Sequence, residues 1–192
     1  MVYKPKYDYL SNKEALREVI AEQKQKKSII VIDYPDQAMI KLNFLRAENE
    51  LKHAEAVFKI SSDVRLKREF DLLETDTFYS GAITHAYYAV FFAAKALLMT
   101  SKIETKTPNV HKATLDAFAN YFIINGKLDL ELLKIYQSTI IRADFLLELF
   151  VSEKEKRGEF TYKTLPDANK EPAHESINNA TKFLINIKKV MK

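Results

Sequence analysis

Cysteine is absent from this 192-residue chain, and glycine and proline are scarce, at three and five residues. The first absence excludes disulfides, thiolate zinc sites and cysteine nucleophiles. The second leaves too little punctuation for the many tight turns of an all-β fold. The start, Met1-Val2-Tyr3-Lys4-Pro5, has no apolar run of the kind a secretory signal requires, so a cytoplasmic location is expected. Common enzyme signatures are missing too: there is no glycine-rich phosphate loop, no Gly-x-Ser-x-Gly elbow and no His-Glu-x-x-His. Neither sign of charge dominates. Thirty basic against 26 acidic residues leave +4, which permits binding to RNA or another polyanion without requiring it. Nothing in the residues asks for a cofactor or a metal, and none is expected.

What the chain has is helix-forming sequence, and one stretch organises it. Residues Phe78 to Met99 are built from alanine, aromatics and leucine without proline. They are apolar almost all the way round, which marks a helix buried among other helices. Ser80, Thr84, Tyr88 and Lys95 leave one narrow, weakly polar stripe. The length would suit a membrane span, but His85 and Lys95 lie inside it, alanine replaces the usual Leu/Ile/Val excess and no positive flank orients it. No membrane is expected.

Around that helix the periodicity predicts others. Residues 1–35 read as an N-terminal arm, with three tyrosines in its first ten residues and then a short helix begun by a capping box of Ser11 and Glu14 and ended near Lys26. Ser28 to Pro35 is β-branched and reads as an extended segment with no partner in the chain, available to pair across a dimer. From about Asp36 to Ser61, Phe44, Ala47, Leu51, Ala54 and Phe58 form the seam of a packed helix. Ser62 to Asp76, with Arg65, Lys67 and Arg68, reads as a solvated connector rather than a phosphate-binding patch. Ser101 to Asn109 reads as a polar loop, with Thr107-Pro108 opening a short helix. Its apolar face is Leu115, Phe118, Tyr121 and Phe122, and Asn125-Gly126 stops it as a left-handed cap. Asp129 to Phe150 carries one seam of Leu133, Tyr136, Ile140, Ala143, Leu147 and Phe150, widened by Leu132, Ile135, Leu146 and Leu149. A face so broad predicts a two-fold homodimer that covers Leu132, Ile135 and Leu149. Residues 151–171 read as the longest irregular, least ordered segment. Pro172 then opens a last helix with Ala173, Ile177, Ala180, Leu184, Ile187 and Met191 in register. The fold class is all-α: an up-and-down antiparallel bundle of about five helices over residues 36–192.

Two Glu-x-x-His pairs, Glu50 with His53 and Glu171 with His174, have the spacing of dimetal bundles. Their placement argues against such a site: Glu50 and His53 lie off the seam, Glu171 precedes a helix-opening proline, and the central helix offers no acid. Arg142 stands out instead, because an arginine inside an apolar face is costly unless it is paired or set at an interface. An interface or capping salt bridge is its plain reading, with Asp144 of a neighbouring subunit as a candidate partner. His85 and His111 each read as partly buried, satisfied histidines.

The segment Thr84-His85-Ala86-Tyr87-Tyr88-Ala89-Val90-Phe91-Phe92-Ala93-Ala94-Lys95-Ala96-Leu97-Leu98 resembles the signature helix of prokaryotic HEPN-domain proteins. Those commonly read Ser-Arg-Ala-Tyr-Tyr-Ala-x-Phe-x-Ala-Ala-x-Ala-Leu-Leu there. The resemblance continues with a histidine after the next loop, here His111. It goes on to Arg142-Ala143-Asp144-Phe145 and an Ala-x-x-Phe-Leu helix, Ala180 to Leu184, and covers residues 37–190. It implies a dimerising helical bundle, often encoded beside a minimal nucleotidyltransferase; some members are RNA-cleaving toxins and others non-catalytic binding modules. Nuclease members carry an arginine followed a few residues later by a histidine, whereas here positions 147–149 are Leu147, Glu148 and Leu149. The motif's arginine is His85. The reading that results is a non-catalytic module binding a nucleotide, an RNA or a nucleotidyltransferase partner, with His85, Tyr88, His111, Arg142 and Asp144 as candidate site residues. A divergent metal-independent ribonuclease using His111 or His85 for proton transfer, and a purely structural homodimer, are the alternatives.

Overall fold

A computed structural model describes residues 5–155 and 170–191. The chain is a bundle of seven α-helices among the described residues: α1 Lys13–Gln25, α2 Gln37–Ser62, α3 Val64–Glu69, α4 Tyr79–Thr100, α5 Val110–Phe118, α6 Leu130–Glu155 and α7 Lys170–Val190. A 3₁₀ turn, Pro5–Ser11, precedes α1, and a π-helical turn, Ala119–Ile123, prolongs α5. Two short strands, β1 Ile29–Val31 and β2 Ile103–Thr105, complete the fold.

The apolar stretch forms α4, and α2, α5, α6 and α7 all pack on it. Six of its alanines, Ala82, Ala86, Ala89, Ala93, Ala94 and Ala96, are fully buried. With a methyl as the largest side chain at those positions, neighbouring backbones approach closely, and larger residues such as Val90, Leu97 and Leu98 fill the space between helices. By length and composition α4 could cross a bilayer, yet 72% of its most apolar window is buried inside the protein. The seams of the flanking helices fall where the periodicity puts them: Ala47 and Ala54 of α2, Leu133, Tyr136 and Ile140 of α6, and Ala173, Ile177, Ala180, Leu184 and Ile187 of α7 are buried. Phe118, Tyr136 and Phe183 meet at centroid distances of 5.4 to 5.8 Å.

Several local expectations need correction. The cap of α1 is Asn12, whose side chain accepts from the amides of Glu14 and Ala15, and not Ser11. The extended segment does find a partner within the chain: β1 pairs antiparallel with β2, Ile29 opposite Thr105 and Val31 opposite Ile103. The N-terminal arm lies on its own domain, with Tyr7, Leu10, Leu16, Ile20 and Ile29 in the same core cluster as α4. Thr107-Pro108, a cis peptide, sits before α5 rather than in it, and the N-cap is Asn109 at φ 63°. Asparagine tolerates that left-handed conformation better than most residues. Gly126, at φ 66°, ends the π-turn as expected, and the amide of Lys127 reaches back to the Phe122 carbonyl at 2.9 Å.

The face assigned to a dimer is partly used up. Leu132 and Ile135 are 3% and 6% exposed within the single chain, because the N-terminal half of α6 packs against α4, α5 and the π-turn. The side chains of Leu146, Leu147, Leu149 and Phe150 lie outside the described residues, as does most of the segment 151–171. Within that segment, α6 continues to Glu155 and α7 begins at Lys170, ahead of Pro172.

Candidate functional site

A cleft of about 250 Å³ opens where the N-terminal turn, α4, α5 and α6 meet, lined by Tyr7, Tyr87, Asn109, His111, Lys112, Leu115, Ile140 and Asp144. Tyr87 comes from the buried helix, and the tight turn at Asn109 sets the first residues of α5 beside it. The His111 ring lies against Phe91 at 4.3 Å between centroids, with Tyr87 at 5.6 Å and Tyr88 at 6.0 Å.

The central contact is between the Tyr87 hydroxyl and His111 Nδ1, 2.6 Å apart. Burial raises the Tyr87 phenol well above its ordinary range, with Tyr88, Asp144 and Tyr7 adding to the effect. Burial also lowers the His111 imidazole, and the charge of Lys95 lowers it further. The contact carries no direction of its own; we assign the tautomer in which the protonated phenol donates to Nδ1 and the neutral imidazole carries its proton on Nε2. In that tautomer His111 offers a hydrogen-bond donor. On the other wall the Tyr7 hydroxyl donates to Asp144 Oδ2 at 3.5 Å.

Beneath this cleft lies a buried carboxylate that the sequence reading passed over. Asp116, fully buried, accepts from the Tyr9 hydroxyl at 2.6 Å, from Gln23 Nε2 at 2.5 Å and from Lys112 Nζ at 2.7 Å. The ammonium of Lys112 also stands 4.9 Å from the Tyr9 ring centroid. Burial, then the bond to Asp116, pushes the Tyr9 phenol far above its ordinary value.

The five expected site residues do not converge on one place. His111 and Asp144 line the cleft, and Tyr88 stands at its aromatic edge against Tyr87 and His111. Arg142 faces away, since two residues on α6 differ by about 200° around the axis. Its guanidinium meets Glu175 Oε2 at 2.5 Å, Ser176 Oγ at 3.2 Å and the Pro172 carbonyl at 3.3 Å, and only 11% of the side chain is exposed. Arg142 is in a salt bridge, but it is made within the chain, with Glu175 of α7 as the partner. His85 faces α2, where its Nδ1 lies 2.7 Å from Glu50 Oε2 and its ring 5.2 Å from that of His53. The ligating atoms of Glu50, His53 and His85 all fall within 4.8 Å of one another. No acid of the central helix meets the Glu50–His53 pair, as the sequence indicates; the α4 group that does is His85. The basic connector is used internally: Lys67 Nζ donates to the Glu74 carbonyl at 2.6 Å and Arg68 pairs with Glu74 at 2.8 Å.

Tyr87 is the cleft residue the sequence could have offered, since it stands in the Tyr-Tyr pair of the signature helix. Tyr7 had only the tyrosine-rich arm to point to it, and Asn109 only its place ahead of a helix.

A family model described as the HEPN domain matches residues 62–190. The chain belongs to the HEPN family. The match takes in α4 to α7 with both Tyr87 and His111, while α2 and the N-terminal arm precede it. Two proteins of Methanocaldococcus jannaschii, MJ0605 and MJ0142, both named as candidate toxins, are similar to this HEPN chain. MJ0605 is 30% identical over 121 residues, 63% of this chain and 77% of that protein. MJ0142 is 40% identical over 60 residues, 31% of this chain and 39% of that protein. No solved structure matches the chain.

Proposed function

We propose that this HEPN protein is a non-catalytic binding module of a toxin–antitoxin-type pair, which takes a nucleobase of a nucleotide or an RNA strand into the Tyr87–His111 cleft. The observation that carries the reading is the hydrogen bond between those two side chains. In-line attack by a ribose hydroxyl needs a base with an open lone pair, and in the assigned tautomer the His111 lone pair is taken up by the Tyr87 hydroxyl, 2.6 Å away. What remains toward the cleft is a donor on His111 and the acceptor capacity of Asp144, a set suited to the edge of a base. The neighbouring rings of Tyr87 and Tyr88 supply faces for stacking.

The charge distribution supports a base rather than a phosphate at the bottom of the cleft. Asp144 lines it, and the ammonium of Lys112 is already engaged by Asp116. Arg142, the group best suited to holding phosphate, is bound to α7 instead. The toxin names of the two similar proteins support a toxin–antitoxin pairing, and the resemblance stated above supports a small nucleotidyltransferase as the protein partner; a cytoplasmic setting is part of the same proposal. A second copy of the chain is the other proposed partner; the exposed large apolar side chains on the described part of α6 are Leu130 and Phe145, at 48% and 55%.

Titration of the purified chain with each nucleoside monophosphate and with a short single-stranded RNA, followed by calorimetry, tests this reading. Binding that weakens at least tenfold in Tyr87→Phe and in His111→Ala supports it. Equal affinity in wild type and both variants removes the cleft as the site.

A further inference from the structure

We propose that Glu50, His53 and His85 form a site for a single divalent transition-metal ion, with zinc as the preferred occupant, that joins α2 to α4. Two imidazoles and one carboxylate make a three-ligand zinc set that leaves a fourth position for water. Glu50 and His53, three residues apart, share one face of α2, and His85 meets them from α4. The three share no residue with the lining of the Tyr87–His111 cleft.

The spacing is close to what an ion needs. Ligands about 2.0 to 2.2 Å from a tetrahedral zinc stand about 3.3 to 3.6 Å from one another, and here all three ligating atoms already lie within 4.8 Å. Entry of the ion requires Glu50 to yield by less than an ångström from its 2.7 Å contact with His85 Nδ1, and the His53 ring to turn inward. His53 is exposed, so that rotation meets little packing. The helices themselves are held at close range by fully buried Ala47, Ala54, Ala82, Ala86 and Ala89. The frame is therefore set by apolar packing rather than by the ligands.

Charge also favours an ion. A Glu50–His85 hydrogen bond accounts for two of the three groups and leaves the second imidazole with its ring 5.2 Å from the first. Were both rings protonated they would repel each other across one carboxylate, whereas two neutral nitrogens and one carboxylate around a divalent cation leave a single net positive charge. Two nitrogen donors disfavour magnesium and calcium, which take oxygen ligands, and the cysteine-free sequence offers no thiolate to capture a softer ion elsewhere. Exposure of the His53 side gives the ion its path from solvent.

Equilibrium dialysis of the untagged, chelator-stripped full chain against zinc chloride, with excess magnesium chloride present throughout, tests the proposal. It predicts one zinc per chain, at least a tenfold loss of affinity in His53→Ala and in His85→Ala, and no loss in His174→Ala, whose ring packs against Phe58 on α2. It also predicts that zinc raises the thermal midpoint of wild type by several degrees and leaves that of His53→Ala unmoved. His53 is exposed, so its alanine variant folds even if His85→Ala does not. No zinc retained at micromolar concentration, or equal retention by wild type and His53→Ala, overturns the site and leaves Glu50 and His85 as a helix-to-helix hydrogen bond.

Discussion

Asp116 shows how much of this protein's polar bonding depends on single side chains. One fully buried carboxylate ties Tyr9 of the N-terminal turn, Gln23 of α1 and Lys112 of α5 together. Removing it strands three donors, two of them in the interior, and unpaired buried donors are costly. Asp116→Ala is therefore expected to lower stability by about 3 kcal/mol, read from the urea midpoint, and to loosen the arm's protection in hydrogen exchange. His111 makes a pH-dependent contribution whose sign follows from its environment. Its folded-state value is lowered from 6.5 by burial and by Lys95, so below that pH the unfolded chain binds the proton that the folded chain resists. Stability from this group is fully present above the ordinary value and is lost as pH falls toward the lowered one. Urea unfolding between about pH 7.5 and about pH 5.5 should show a smaller decline for His111→Gln than for wild type. The sequence made His111 and Asp144 visible as candidates. It could not show that the Tyr87 hydroxyl occupies the histidine's acceptor, because that depends on how two helices meet and not on any spacing within one.

At the scale of elements, helix periodicity carried nearly all the placement. The seams of α2, α6 and α7 were legible because each places apolar residues every three or four positions, and all three pack on α4. The β1–β2 pair was not legible, since Ile103-Glu104-Thr105 is too short to show an alternating pattern and sits in a run rich in polar residues. On the described part of α6, Leu132 and Ile135, which the sequence reading assigned to a second copy, serve the chain's own core. The partner of Arg142 was out of reach for a related reason, because α7 and its Glu175 lie more than thirty residues away in sequence. Two expectations belong here. Arg142→Ala should cost about 1 to 2 kcal/mol by releasing α6 from the start of α7, seen in thermal unfolding, with nucleotide affinity unchanged. Ala86→Leu, at a fully buried contact of α4, should cost about 1 to 3 kcal/mol through overpacking, with helicity retained in circular dichroism but the unfolding midpoint lowered.

Taken whole, the molecule is a HEPN bundle built round one alanine-rich helix, with an N-terminal arm that completes the core and closes one side of a small aromatic cleft. Two chemically distinct places follow from that arrangement: the cleft at Tyr87 and His111, and the Glu50–His53–His85 cluster between α2 and α4. The signature helix supplies a residue to each. The family resemblance could be drawn from that helix, while the Glu50–His53 spacing was visible but its third member was not, because His85 comes from α4 and joins the pair only where the two helices pack. The central claim is that this chain binds through the cleft and does not cut. Incubating the purified protein with a 5′-labelled single-stranded RNA, while following both retention and strand length, tests it most directly. The account predicts retained, full-length RNA with wild type and with Arg142→Ala, and loss of retention with His111→Ala. Strand cleavage by wild type that His111→Ala or Arg142→Ala abolishes without loss of helicity would contradict it.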